Sequence, residues 1–290
     1  MKASLECLPC LGKNAVDVAC RITSDDAAHR KIISQSLHLL ADCDCSMPPP
    51  FYAAAIHRIA KETTGLAGAD PYLEEKRRST RLAEELLKEM KKNSCYNPND
   101  FESRLRLAIA GNILDFGIYA DLDIQSALQT VLQAFTKDID LKAMRALKER
   151  MESAKHILYI LDNCGEAVFD REFIAPYRSK TTIGVRGFPV FNDVTKSDLA
   201  DSGLEAFATT IVENASDIPG TIIELAGDQF RHEFVEADLV IAKGQGNFET
   251  LSDTPHSAIA FLFMAKCPVV CKLLHAEQNS LQLQFYTSLS

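Results

Sequence analysis

Three short runs of the chain carry side chains suited to phosphate and cation chemistry. They are Asp162-Asn163-Cys164-Gly165-Glu166, Arg186-Gly187 with Pro189 and Asn192-Asp193, and Lys243-Gly244-Gln245-Gly246-Asn247. Asp162 and Asp193 offer carboxylates and Asn163 an amide oxygen, a hard oxygen set suited to Mg²⁺ or Mn²⁺ with positions left for water and phosphate. No histidine lies in these runs, so a zinc centre built on imidazole is not expected there. Gly244 and Gly246 let backbone approach a phosphate closely, and Lys243 adds a compact positive charge. Glu166 has three readings: it orients an attacking water, binds the substrate, or caps its helix. Taken singly, each run is also what an ordinary turn or helix start uses, because Asp and Asn favour both.

Cys7-Leu-Pro-Cys10 has the spacing of half a zinc site or of a redox pair, and two cysteines one helical turn apart are equally good core fillers. Cys43-Asp-Cys45 has the wrong spacing for a zinc ribbon but can approach the first pair in space. Nine cysteines are an odd number, scattered through a chain with an ordinary core. Reduced thiols and a cytoplasmic location are expected.

The elements that must position these residues differ between the two halves. From Ala3 to about Lys155, segments such as DAAHRKIISQSLHLLADC and YLEEKRRSTRLAEELLKEMKK place apolar residues three and four apart, which predicts about six helices. Beyond Lys155, the short apolar runs HILYIL, TTIGV, ATTIV, DLVIA and PVVCK alternate with turn or helical segments. That alternation predicts parallel strands in a three-layer α/β/α sheet. The expected organisation is a mainly α-helical domain over 1–150, forming one wall of a cleft, and a Rossmann-like α/β/α domain over 151–290 that carries the site. Ligands of such sheets bind at the carboxyl ends of the strands, where HILYIL, TTIGV and DLVIA deliver the three polar runs. Gly165 is expected to make a sharp turn that points the following helix at a bound anion.

Composition narrows the partners. Forty acidic against thirty-one basic residues give a net charge of -9, which disfavours a nucleic-acid partner. The most apolar run, AIAFLFMA at 258–265, is far shorter than the roughly 20 residues a membrane span needs, and the first residues lack the pattern of a signal peptide. A soluble protein acting on a small molecule is expected. KGQGNFE lacks the third glycine of the dinucleotide fingerprint, and no Walker pattern ends in Lys-Ser or Lys-Thr.

In order, DNCGE, RGFPVFNDVT and KGQGNFETL resemble the damage-control metal-dependent phosphatases, the former domain-of-unknown-function family 89, in the branch that begins with Cys-x-x-Cys. Asp70-Pro-Tyr72 with Lys76, Ala110-Gly-Asn112 with Asp115-Phe-Gly117, and Pro219-Gly-Thr221 with Glu224 fall in family order, so the resemblance covers nearly the whole chain. It implies hydrolysis of small phosphometabolites, sugar phosphates among them, with Mg²⁺, Mn²⁺, Co²⁺ or Ni²⁺. It also implies metal ligation by Asp162, Asn163 and Asp193, phosphate contact by Lys243, and a place at the cleft for Asn112 and Asp115. With these go Asp162, Glu166 and Lys243 as catalytic residues, Arg186, Gly244, Gly246 and Asn247 as phosphate-binding residues, and Cys7 and Cys10 as a second metal or redox site. Thr80 stands where the family often has Asn, which bears on Lys76 and its neighbours as substrate contacts but not on the metal site. No Asp-x-Asp nucleophile motif follows the first strand, which favours water over Asp162 as the attacking group. Two rivals remain: an S-adenosylmethionine-dependent carboxyl methyltransferase, and a non-enzymatic metal- or thiol-binding protein centred on Cys7 and Cys10. Dependence on a divalent cation separates the first from the phosphatase, and phosphatase activity that survives substitution of Cys7 and Cys10 argues against the second.

Overall fold

A computed structural model describes residues 1–113, 124–256 and 258–286. Among these residues seven α-helices precede the first strand: α1 (Cys7–Ile22), α2 (Asp26–Ala41), α3 (Pro49–Thr63), α4 (Leu73–Lys92), α5 (Phe101–Ala110), α6 (Ile124–Thr136) and α7 (Leu141–Ser153). Local chemistry sets several of their starts. Asp25, Asp100 and Asp140 each accept a hydrogen bond from a first-turn N–H, and Pro49 and Pro50 occupy the first turn of α3, where a missing N–H costs nothing. In α1 the buried face is Leu11, Ala15, Val18 and Ala19, the spacing of one helical stripe.

The second half alternates strand and helix: β1 (Ile157–Ile160), α8 (Cys164–Ile174), β2 (Thr181–Val185), α9 (Leu199–Ser202), β3 (Thr210–Glu213), α10 (Asp228–Glu236), β4 (Leu239–Lys243), α11 (Gly244–Leu251), β5 (Ile259–Met264), α12 (Pro268–Leu274) and β6 (Leu281–Phe285). The sheet order is β3-β2-β1-β4-β5-β6, the doubly wound order in which the winding reverses between β1 and β4. Both central strands are buried along their whole length. Their side chains alternate between two cores. Ile157, Tyr159 and Ile241 face a cluster shared with Leu86, Met90, Leu105 and Leu147 of the helical half, whereas Leu158, Ile160 and Val240 face one built with Phe230, Phe248 and Phe263. α4 lies along α8, tied by Arg171 Nη1 to Glu84 Oε1 at 2.7 Å. A bidentate pair from Arg58 of α3 to Asp217 ties the first helices to the loop after β3.

Two strand expectations are corrected. PVVCK forms α12: Pro268 opens it with φ preset for a helix, and only Val270 and Cys271 are buried, a helical rather than an alternating pattern. The sheet is parallel except at one edge, where β6 pairs antiparallel with β5, Leu262 opposite Leu283. The run AIAFLFMA supplies β5, six consecutive buried residues. No described helix is long and apolar enough to cross a membrane.

The junction of the two halves generates a stability prediction. Phe173 of α8 is fully buried between Phe101 of α5 and Tyr159 of β1, with ring centroids 5.6 Å and 6.3 Å away. Phe173→Ala should cost about 3–5 kcal/mol in urea unfolding, the usual cost of such a cavity. A loss below about 1 kcal/mol would contradict a core shared by sheet and helices.

Candidate active site

The polar runs meet where the sheet order reverses. Asp162 follows β1 by two residues, Lys243 ends β4, and Arg186 follows β2 directly. The loop Asn192–Thr195 is laid along the same rim: Val194 N–H donates to the Asp162 carbonyl at 2.9 Å, and Arg186 N–H to the Val194 carbonyl at 2.9 Å. Asn163 and Asp193 form an antiparallel bridge, which fixes the three expected metal ligands side by side. Asp162, Asp193, Glu166 and Arg186 are all nearly or fully buried.

Each polar group is held by others. The Asn112 amide, reaching in from the turn after α5, donates to Asp162 Oδ2 at 3.1 Å and Glu166 Oε1 at 2.7 Å. Asn112 Oδ1 accepts from Met264 N–H at the end of β5, 3.2 Å away. Asn163 Nδ2 donates to the same two carboxylates at 2.9 Å and 2.7 Å, which leaves its Oδ1 for a cation. Arg186 Nε donates to Asp193 Oδ2 at 2.7 Å, while its Nη2 lies 3.8 Å from Asp162 Oδ1 and has no hydrogen-bond partner among the described residues.

The expected direct contact of Lys243 with phosphate is not what this arrangement offers. Its ammonium is fully buried and donates to the Ala108 carbonyl (2.9 Å), Glu166 Oε2 (3.2 Å) and Asp170 Oδ1 (2.8 Å). All three of its donors are thereby used. Burial alone would depress the ammonium's pKa, but Asp170 and Glu166 outweigh it and the group is held above its ordinary value. Asn247 is likewise committed, donating to the Leu161 and Lys243 carbonyls and accepting from Thr221 Oγ1. Gly165 does not make the expected sharp turn. Asn163 stays extended (φ -100°, ψ 152°) as the N-cap, α8 begins at Cys164, and Gly165 is already helical. Asp115 lies outside the described residues. Lys76, instead of lining a free surface, is buried between Asp70 (2.8 Å) and Asp198 (3.0 Å), and Thr80 Oγ1 is satisfied by the Lys76 carbonyl.

Asp170 was not singled out from the sequence, although its spacing from Glu166 puts both on one face of α8. It is fully buried, accepts from the Tyr159 hydroxyl at 2.7 Å as well as from Lys243, and its pKa is pushed up to about 6, mainly by burial. Burial, then Glu166 and Asp193, drive the Asp162 pKa well above the carboxylate range, and burial raises that of Asp193 despite Arg186. Carboxylates in this state are short of a positive partner.

The backbone is shaped for close approach at two glycines. Gly244, at φ +79°, opens α11 directly against Asp162, and a Cβ there would fall 1.9 Å from Asp162 Oδ2. At Gly246 a Cβ would fall 2.3 Å from the Pro219 carbonyl. The first turns of α8 and α11, the helices that follow the two central strands, both start at this rim, where their N-termini favour an anion.

Among the described residues no three His, Cys, Asp or Glu side chains form a ready-made ion cage. Two carboxylates and an amide oxygen, with Arg186 Nη2 unpartnered beside them, still make a donor set that fits a hard divalent cation sharing its shell with water and phosphate.

Fold and site together define a Rossmann-like α/β/α protein with an acidic, amide-rich centre at the switch point of its sheet. The model of the damage-control phosphatase ARMT1-like domain matches residues 3–281, and the chain belongs to that family. A damage-control phosphatase from Pyrococcus horikoshii is 32% identical over 287 residues, covering 97% of each chain. One from Archaeoglobus fulgidus is 30% identical over 277 residues, covering 94% of this chain and 95% of its own. The crystal structure of a DUF89 family protein from Pyrococcus horikoshii superposes with a TM-score of 0.88 at 30% identity, covering 99% of this chain and 100% of that one.

Two predictions test this packing. Gly244→Ala should cost at least about 2 kcal/mol in urea unfolding, because both its φ and the Asp162 carboxylate resist a Cβ. Gly12→Ala, inside α1 with its nearest neighbour at 4.0 Å, should instead be neutral or stabilising by up to about 1 kcal/mol. Equal effects at the two glycines would contradict the close approach. Glu249 of α11 is buried, and burial pushes its carboxyl from an ordinary 4.5 to about 7. The folded state therefore holds this proton more tightly than the unfolded chain, so stability should fall as pH rises from about 4.5 through about 7. Glu249→Gln should flatten that window and raise stability at pH 8 by on the order of 2 kcal/mol. A variant less stable than the parent at pH 8 would contradict the assignment.

Proposed function

We propose that the chain is a divalent-cation-dependent phosphatase hydrolysing small phosphometabolites, sugar phosphates among them. One observation carries the cation requirement: four carboxylates (Asp162, Glu166, Asp170, Asp193) meet only two cations (Arg186, Lys243), and all six are at most 8% exposed. Fully ionised, they would leave two negative charges uncompensated in a site shielded from water, a state relieved either by the raised pKa values of Asp162, Asp170 and Asp193 or by a further cation. Family membership and the printed names of the relatives support the phosphatase reaction.

Asp162, Asp193 and Asn163 Oδ1 would hold the cation, and Mg²⁺, Mn²⁺, Co²⁺ or Ni²⁺ all accept such ligands. Bound there, the cation would supply charge neutralisation for the transferring phosphoryl group. The chain's own residues would do the positioning. Arg186 Nη2, unpartnered among the described residues, would take a phosphate oxygen, and the first turns of α8 and α11 would favour the same anion. Glu166, bonded to Asn112, Asn163 and Lys243, would keep both amides aimed at the cation site. Lys243 would act from behind, holding Glu166 and Asp170. Residues 1–150 would supply the wall opposite the sheet, through Asn112, and so shape substrate choice.

The test is phosphate release from a panel of sugar phosphates and an aryl phosphate, using metal-stripped protein with each cation added back. Release should require a cation and fall at least about 100-fold in Asp162→Ala, with the fold intact by circular dichroism. Turnover by stripped protein, or full turnover by Asp162→Ala at saturating cation, would overturn the reading.

A further inference from the structure

The cysteine motifs take no part in the site above. They lie on the far side of α11, where α1, the turn after α2 and the start of α12 meet. Cys43 and Cys45 bring their sulfurs to 3.8 Å. Two thiolates each about 2.3 Å from one tetrahedral ion are separated by about 3.8 Å, so this pair already has the bite of a chelate. Cys45 holds φ +55°, a conformation uncommon for a side-chain-bearing residue, and its N–H donates to Cys43 Sγ at 3.3 Å. Cys7 Sγ accepts in the same way from Ser4 N–H at 3.5 Å.

The second pair sits beside the first. Cys7 opens α1, is buried, and packs in one cluster with Cys43, Cys45 and Tyr52. Cys10 is exposed one turn further on. Cys7 and Cys10 also line a cavity of about 660 Å³ with Cys267 and Glu249.

We propose that Cys7, Cys10, Cys43 and Cys45 form a second metal centre, separate from the oxygen site, that takes a thiophilic d10 cation such as Zn²⁺. No three such ligands among the described residues are close enough as they stand. Cys43 and Cys45 are therefore the preformed half, and side-chain rotation of Cys7 and Cys10 on the first turn of α1 completes the shell. Binding one Zn²⁺ displaces four thiol protons to solvent and forms four Zn–S bonds, with no change in oxidation state. Soft sulfur ligands discriminate against Mg²⁺ and Mn²⁺, so the two centres do not compete for those ions.

The full chain, reduced and metal-stripped, is titrated with Co²⁺, whose thiolate charge-transfer absorption an oxygen site cannot produce. With excess Mn²⁺ present to occupy the oxygen site, the expected result is a near-ultraviolet band saturating at one Co²⁺ per chain and displaced by Zn²⁺. It should disappear in Cys7→Ser and Cys43→Ser and persist in Cys20→Ser and Cys95→Ser, whose thiols are exposed elsewhere. Absence of the band in the parent protein, or its survival in Cys43→Ser, would overturn the proposal. A second readout needs no variant: one equivalent of Zn²⁺ should protect Cys7, Cys10, Cys43 and Cys45 from alkylation in the native protein. Alkylation of these four at unchanged rates would overturn the proposal, whatever the outcome of the phosphate-release assay.

Discussion

Burying ionised carboxylates without a partner costs several kcal/mol each, and this chain buries four at one rim of its sheet. The Lys243 ammonium is what makes that arrangement possible. It stands at the end of β4, donates to Glu166 and Asp170 on α8 next to β1, and donates a third bond to the Ala108 carbonyl of α5. One cation thus joins the two central strands' following elements to the helical half. On the other side Arg186 pairs with Asp193, and with less saturation, since its Nη2 has no partner among the described residues. The site is therefore assembled by the fold rather than placed on it.

The helical half takes part in that assembly. Asn112 sits at the end of α5, yet its amide bonds Asp162 and Glu166 and its carbonyl oxygen is tied to β5. That reach depends on the helices being packed directly on the sheet, as the cluster joining Leu105 and Leu147 to Tyr159 and Ile241 shows. An error of packing at Phe173 or Leu86 would be felt as a shift of Asn112, and misplacements near 1 Å are enough to cost two orders of magnitude in rate.

Much of this was legible in the sequence, and the failures have physical causes. The three polar runs were expected at strand ends, and the sheet brings Asp162, Asn163, Glu166, Arg186, Asp193 and Lys243 together. PVVCK misled because two adjacent valines read as strand, while Pro268 fixes a helix start, and β5 hid in a run considered for its apolarity alone. Position along the chain gave no sign that Lys243 and Asn247 point inward. That depends on Asp170 and Thr221, contributed by other elements. Asp170 itself was readable from its four-residue spacing after Glu166, had the helix been projected. Cys43-Asp-Cys45 could be paired with Cys7-Leu-Pro-Cys10 only once α1, α2 and α3 were packed.

The central claim is that the uncompensated negative charge at the switch point is the seat of a divalent cation. Electron paramagnetic resonance of Mn²⁺ added to metal-stripped protein tests it without reference to any substrate. The account predicts one tightly bound Mn²⁺ per chain, lost when Asp162 and Asp193 are both replaced by Asn in a protein that still folds. Absence of stoichiometric binding, or binding that survives the double replacement, would contradict it.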